Sequence, residues 1–525
     1  MEPCPRCGYD EDLKRYEDPW KLCPKSSSET CSSCQEMDTL NDEISQTRTA
    51  LHNLLNRRRE LSAKLNADHP SPIQRLPVEI LTTIFTIYAS DAYKSRCNSP
   101  FDLGSVCRKW REVAWSTPSI WTFVRMVIPQ VYIRQTRKEL IEEWIRRSGS
   151  LPLSVTLHGE HLNPSNPMFT YFSFQEIINI LNHECERWRS LDLSLPKDLL
   201  SRFDFANSDP AVLQELKLES PTGEVLDIHT LELLAVRNLD VSGPILNLAN
   251  LNFTNTTAIT LRSVALDQII HILESVPQLL ACRLQNVTMR AVEEPRRAYH
   301  HVVHSKLRSL EFKCGYRNPM TIVFDALTLP ALQHLQLEFL EEGRSISSIV
   351  SFLHRSSNSV KSLSLNMTKI TGKDLVLLLR ATPSLQDLKL THSPRDAENL
   401  FDLAEALTSH LSTSENIFLP FLQTFDWFGD VGFPWTFLPS LFAPLLPNDD
   451  TPGRPLQKVK IYCNLFDEPY EVPYVDEDIL AQLSKFSDQV HFRFEMPLEY
   501  DVADLWKMSL DKWRHPTRDE EVCVV

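Results

Sequence analysis

The chain has 525 residues, 42% of them apolar, enough for two or more folded units. Its formal net charge of −15 argues against a general nucleic-acid binder, which presents a basic face. No apolar run reaches the roughly eighteen residues of a membrane span, MEPCPRCGYDED is no leader and EVCVV is no prenylation box, so neither secretion nor a membrane partner is expected.

The first segment, residues 1–34, is a polar tail with five cysteines. Cys4-Pro-Arg-Cys7-Gly8 has the form of a zinc knuckle, in which a tight turn aims two thiolates at one ion, and Cys31 with Cys34 could supply the second pair. The alternative is a tail of reduced thiols. A RING finger is excluded, because it needs eight ligands and no histidine precedes His52. Residues 35–68 read as a coiled-coil-like helix. Met37, Leu40, Ile44, Thr47, Leu51, Leu54, Arg58, Leu61 and Leu65 step by three and four throughout. Such a seam could pair with another copy or fold back on its own chain. It must stop at His69-Pro70-Ser71-Pro72.

Residues 72–124 read as three small helices. In LPVEILTTIF, Pro77 suits the first helical position and Glu79 the first turn. Val78, Ile80, Leu81, Ile84, Phe85, Ile87 and Tyr88 cover about half the circumference, where an ordinary surface helix shows an arc of about 100°. The surplus predicts two buried surfaces, one of them against a partner. A second helix is expected from about Ser99 to Ser116, with Leu103, Val106, Cys107, Trp110, Val113 and Ala114 on one stripe, and a third helical turn around Trp121.

LPVEILTTIF followed by VCRKWREVAWSTPSIW resembles the F-box, the module by which substrate receptors dock on the Skp adaptor of cullin ubiquitin ligases. The match runs in order through Leu76, Pro77, Glu79, Ile80, Leu81, Ile84, Phe85, Val106, Cys107, Arg108, Trp110, Ala114, Pro118 and Trp121. The connection IYASDAYKSRCNSPFDLGS is longer than usual. The leading helix ending in SPIQRLPVEIL, and the later ELIEEWIRRSGSLPLSVTL, are similar to fungal F-box proteins in particular. The resemblance implies adaptor contacts from Leu76, Pro77, Ile80, Leu81, Ile84, Phe85, Val106, Cys107, Trp110 and Trp121, and through the adaptor a link to a cullin.

After a linker helix at 125–150, a repeat of the form L-x-x-L-x-L begins. It runs through WRSLDL at 188, LQELKL at 213, VRNLDV at 236, TTAITL at 256, LLACRL at 279 and LRSLEF at 307. It continues with LQHLQL at 332, VKSLSL at 360, LQDLKL at 385, LQTFDW at 422 and LQKVKI at 456. Helical patterns such as QIIHILESV and DLVLLLRA lie between copies. A strand and a helix every 20 to 30 residues is the signature of leucine-rich repeats, so 151–495 is expected to be an α/β solenoid, with extended loops at 394–419 and 429–455. The residue between the last two leucines then faces a concave surface: Asp192, Lys217, Asp240, Thr260, Arg283, Glu311, Gln336, Ser364, Lys389, Asp426 and Lys460. This mixed polar row is the expected face for a protein substrate. Residues 496–525 read as a tail or cap.

The fold expected overall is α+β and multidomain: coiled-coil helix, three-helix F-box, leucine-rich solenoid. No catalytic residue is expected. The glycines never fall at the spacing of a phosphate or dinucleotide loop, there is no G-x-S-x-G, and His183-Glu184 completes no zinc helix. His300, His301 and His304 read as an exposed loop or helix. Trp427, Phe428, Phe433, Trp435 and Phe437 read as core or cap packing before a partner hot spot. No cofactor beyond a structural zinc is expected. Scattered thiols such as Cys185, Cys282 and Cys463 suit a cytoplasmic or nuclear protein. The function expected is substrate recognition for a Skp–cullin–F-box ligase, the alternatives being a repeat scaffold without a ligase role or a dimeric regulatory factor.

Overall fold

The computed structural model describes residues 32–514 apart from 69–74, 92–98, 129–134, 160–166, 210, 222–225, 228–235, 244, 247–252, 265, 288–300, 315–319, 339–345, 357–358, 367–369, 392–398, 409–417, 431–432, 444–453, 465–471 and 498–501. The protein is mixed α/β, built on a large, mostly parallel sheet. It divides into two compact units, one of residues up to Ile84 with Val106–Val113, the other of Phe85–Ser105 with Ala114–Val525. Among the described residues no helix is long and apolar enough to cross a membrane.

The first unit holds helix α1 (Ser32–Asp68), the start of α2 (Val78–Asp91) and most of α4 (Arg108–Trp115). α1 is continuous over 37 residues, and its seam side chains are exposed. The Pro77 carbonyl accepts the first helical bond of α2, from the Leu81 N–H at 3.1 Å. Lys109 Nζ donates to the Leu76 carbonyl at 2.9 Å, tying α4 to the residues just before α2.

The single second helix expected from the sequence is two: α3 (Pro100–Val106) and α4. Ser99 opens α3 with reciprocal bonds, its N–H donating to Asp102 Oδ2 at 3.0 Å while its Oγ accepts from the Phe101 N–H at 3.3 Å. The break falls at Cys107. Its carbonyl accepts from Arg111 N–H at 3.0 Å and its Sγ from Trp110 N–H at 3.4 Å, so it begins the next helix instead of continuing the last.

The second unit holds an aromatic cluster centred on Trp121. Trp121, on the 3₁₀ turn Pro118–Trp121, is edge-on to Phe101 (5.0 Å), Trp115 (5.6 Å) and Trp144 (6.0 Å). Its Nε1 donates to the Ala114 carbonyl at 2.7 Å, and the Arg147 guanidinium lies 4.4 Å from the Trp115 ring centre. Gly104 meets the face of Trp115 so closely that any Cβ there would overlap the ring.

Fifteen strands then form one sheet in which chain order is spatial order. They are β1 (Phe123–Ile128), β2 (Leu153–Gly159), β3 (Trp188–Ser194), β4 (Glu215–Glu219), β5 (Asn238–Ser242), β6 (Ala258–Arg262), β7 (Ala281–Val287) and β8 (Ser309–Cys314). β9 (His334–Glu338), β10 (Ser362–Asn366), β11 (Asp387–Thr391), β12 (Thr424–Asp430), β13 (Lys458–Asn464), β14 (His491–Pro497) and β15 (Val502–Asp504) follow, and only β15 is antiparallel to its neighbour. The sheet thus begins at Phe123 and runs across the expected boundary between 72–124 and the linker helix at 125–150. Helix α5 (Gln135–Arg147) lies in the same segment.

The strands of the repeat bury alternate side chains. In β9 Leu335 and Leu337 are core while His334 and Gln336 are exposed, and in β11 Leu388 and Leu390 are core while Lys389 is exposed. Helices between strands cover the leucine side. Gly372–Arg380 is one, opened by Thr371, whose Oγ1 accepts from the Asp374 N–H at 3.2 Å. Two segments that read as extended loops also carry helix, Asn399–Thr408 in the first and Leu438–Leu441 in the second, because each holds enough leucine and phenylalanine to bury a face. The C-terminal residues cap the sheet. Trp506, on helix Leu505–Arg514, stacks on Phe492 at 5.1 Å, and the buried Ser509 Oγ accepts from the Val475 N–H at 2.9 Å.

α5 carries a pH-sensitive group. Both Arg146 and Arg147 donate to the Glu143 carboxylate at 2.6–2.8 Å. The Arg146 hydrogen bonds above all hold its pKa at about 2, against an ordinary 4.5. A depressed carboxylate stabilises the fold fully above its unfolded pKa, and that contribution is lost as pH falls from about 4.5 towards 2. In urea titrations, wild type is expected to exceed Glu143→Gln in stability at pH 6, with the gap shrinking steadily as pH falls from about 4.5 towards 2. A gap independent of pH would refute the assignment.

Candidate interaction surfaces

Two surfaces offer side chains to a partner, and each lies within described elements. The first is one face of α2. At 100° per residue, Ile80, Ile84 and Ile87 fall within roughly 60° of one another, and they are 47%, 42% and 55% exposed. Leu81, Phe85 and Ala89 lie about 130° round the helix and are buried, the first two with no exposed surface. Of the other residues the F-box resemblance implicates, Pro77 and Val106 are exposed, while Leu76, Cys107 and Trp110 are half-buried. Trp121 is fully buried in the aromatic cluster. A side chain with no exposed surface offers nothing to a partner, so Leu81, Phe85 and Trp121 hold the helices in place, and the isoleucine stripe is what faces outward. Ile87, which the F-box match does not include, belongs to that stripe. Its spacing of three from Ile84 is the signal that identifies it.

The second surface is the polar face of the sheet. All eleven residues expected to share a face stand opposite one another in a single register row. Asp192 pairs with Lys217, then come Asp240, Thr260, Arg283, Glu311, Gln336, Ser364, Lys389, Asp426 and Lys460. The row extends to Arg125 and Thr156 at one end and to Arg493 at the other. Those strands use valine, methionine or phenylalanine where the repeat has leucine, so they lack the L-x-x-L-x-L form.

Charges on this face are largely neutralised between neighbouring strands. Asp192 accepts from His158 Nε2 at 3.1 Å and from Lys217 Nζ at 3.2 Å. Burial pushes the Asp192 carboxyl up, but the His158 and Lys217 bonds outweigh it and leave it below its ordinary value. Arg262 Nη1 bonds Asp240 at 2.6 Å, Arg283 bonds Glu311, and Lys460 Nζ bonds Glu495 at 3.0 Å. Lys389 is the charged member of the row with no carboxylate partner among the described residues. At one end of the face, Phe428 stacks on Tyr462 with ring centres 4.6 Å apart and planes 7° off parallel. Phe428 is 40% exposed, whereas Trp427, Phe433, Trp435 and Phe437 are core. The aromatic insertion is therefore packing, with one outward ring.

The remaining expected sites resolve differently. Cys4, Cys7 and Cys31 lie outside the described residues, and Cys34 falls in the first turn of α1. Among the described residues no group of three or more His, Cys, Asp or Glu could hold a metal ion. His300 is outside them too. His304, expected in an exposed segment, is buried: its Nε2–H donates to the Val276 carbonyl at 2.9 Å and its Nδ1 accepts from the Leu307 N–H at 3.1 Å. Burial alone pushes the Cys282 thiol up to about 12, which makes it inert. A scan against protein-family models finds no match to this chain, and a search of curated proteins finds none.

Proposed function

We propose that this protein is a non-catalytic substrate receptor of a Skp–cullin–F-box ubiquitin ligase. The observation that carries the reading is the exposed stripe Ile80, Ile84 and Ile87 on the helix of the LPVEILTTIF motif. Covering three half-exposed isoleucines is worth on the order of 3 kcal/mol, and a Skp-type adaptor is the partner that the motif's resemblance names. The sheet and its covering helices are read as a leucine-rich-repeat solenoid, supported by the regular strand order and the alternating leucines. Its polar row would hold a target protein, with Lys389, which has no carboxylate partner among the described residues, and the Phe428–Tyr462 stack as the strongest anchors. The ubiquitin-conjugating enzyme supplies the chemistry, and this chain supplies proximity between target lysines and the charged thioester.

The test is co-purification with a Skp-type adaptor. Wild type is expected to co-elute from gel filtration, and Ile80→Asp/Ile84→Asp to weaken binding at least 100-fold. Circular dichroism should be unchanged, since both side chains already face water. Leu81→Asp would only unfold the helix. Failure of the wild-type chain to bind adaptor would overturn the reading.

A further inference from the structure

α1 spans about 55 Å and carries seven large apolar side chains on its seam, exposed from 37% at Met37 to 64% at Leu54. The seam keeps a strict alternation of three and four. In heptad terms the a positions are Met37, Ile44, Leu51, Arg58 and Leu65, and the d positions are Leu40, Thr47, Leu54 and Leu61. A period of 3.5 suits a left-handed coil of two helices, because the stripe stays in line only when helices wind round each other.

Charge along the helix says which second helix fits. Residues 35–47 contain Glu36, Asp38, Asp42 and Glu43 and no Lys or Arg. Residues 48–65 contain Arg48, Arg57, Arg58, Arg59 and Lys64 against one acid, Glu60. A second copy running the opposite way sets each acidic half on a basic half. A parallel copy sets acid on acid and places Arg58 against Arg58 inside the seam, an unpaired like-charge layer.

Antiparallel pairing also selects a register, since each a position must meet a d position. When Leu51 meets Leu54 of the second copy, Ile44 meets Leu61 and Leu40 meets Leu65. The two polar members, Thr47 and Arg58, then share a layer, the apolar layers between Leu40 and Leu65 are uninterrupted, and only Met37 at each end faces a polar residue, Asp68. Shifted by one heptad, Thr47 faces Leu51 and Arg58 faces Leu40. In the favoured register Glu43 flanks the seam opposite Lys64 of the second copy, twice by symmetry. We propose that α1 is an antiparallel homodimerisation helix in this register, so that one assembly carries two copies of the chain. The inference is independent of adaptor docking.

Sedimentation equilibrium of the full chain tests it. Wild type is expected to be a dimer at tens of micromolar, and Leu51→Asp/Leu54→Asp to raise the dissociation constant at least 100-fold with the circular dichroism preserved. Orientation is read from charge reversal. Glu43→Lys should weaken the dimer about fivefold, and Glu43→Lys/Lys64→Glu should restore it to within about twofold. A parallel dimer would pair Glu43 with Arg48 instead, and the second change would restore nothing. A wild-type chain monomeric at every concentration overturns dimerisation, and a dimer without rescue overturns the antiparallel register.

Discussion

Replacing Trp121 by alanine is expected to destabilise the second unit by about 4 kcal/mol. Trp121 has no exposed surface and is the ring that Phe101, Trp115 and Trp144 all meet edge-on. Removing it opens a cavity that three large rings cannot fill by rotating, because each is itself held in place. It also takes away the indole N–H that bonds the Ala114 carbonyl, next to the end of α4. Trp121→Phe keeps much of the volume and should cost about half as much. Urea unfolding followed by tryptophan fluorescence measures both. If alanine costs under about 1 kcal/mol, Trp121 is not the keystone of the cluster, and its place in the F-box match would have to reflect an outward role after all.

Arg454→Met is expected to cost about 3–5 kcal/mol. The guanidinium is 2% exposed and has no carboxylate partner among the described residues. It donates instead to backbone carbonyls: Leu407 at 2.9 Å and Phe418 at 3.0 Å, with longer bonds to Ala443 and Leu441. Leu407 lies in the last turn of helix Asn399–Thr408, Leu441 is the last residue of Leu438–Leu441, and Ala443 lies just beyond its C-cap. One side chain therefore caps the open carbonyl ends of two helices, where carbonyl dipoles favour a cation. Burial lowers the Arg454 pKa to about 10, which still leaves it charged at neutral pH. Methionine fills the space and strands the carbonyls, so hydrogen exchange should rise across 399–441 together with the loss of urea stability. Unchanged exchange there would show that the carbonyls find other partners. Nothing in the sequence marks Arg454: it sits in a Pro-Gly-Arg-Pro stretch that reads as loop.

Local pattern and three-dimensional packing agree over some elements of this chain and part at others. Alternation in the repeats states which side chain lies between two core leucines, and all eleven residues so chosen share one register row. The long seam of α1 was equally legible, since a seven-residue period survives without any tertiary partner. The break at Cys107 was not, because Leu103, Val106, Cys107 and Trp110 keep helical spacing across it and only the capping bonds at Cys107 reveal the change.

By itself, then, the sequence determined periodicities: a helix seam, strands with one polar face, and an α2 too apolar for a single buried side. Tertiary structure alone decided which apolar arc of α2 is covered. Leu81 and Phe85 are chemically no different from Ile80 and Ile84, and spacing cannot rank two greasy arcs on one helix. It decided likewise which charges of the sheet face cancel, since Asp192, Lys217 and His158 are far apart in the chain and meet only across neighbouring strands. Pattern is a one-dimensional property and fixes direction, whereas burial and ion pairing depend on what arrives from elsewhere in the chain.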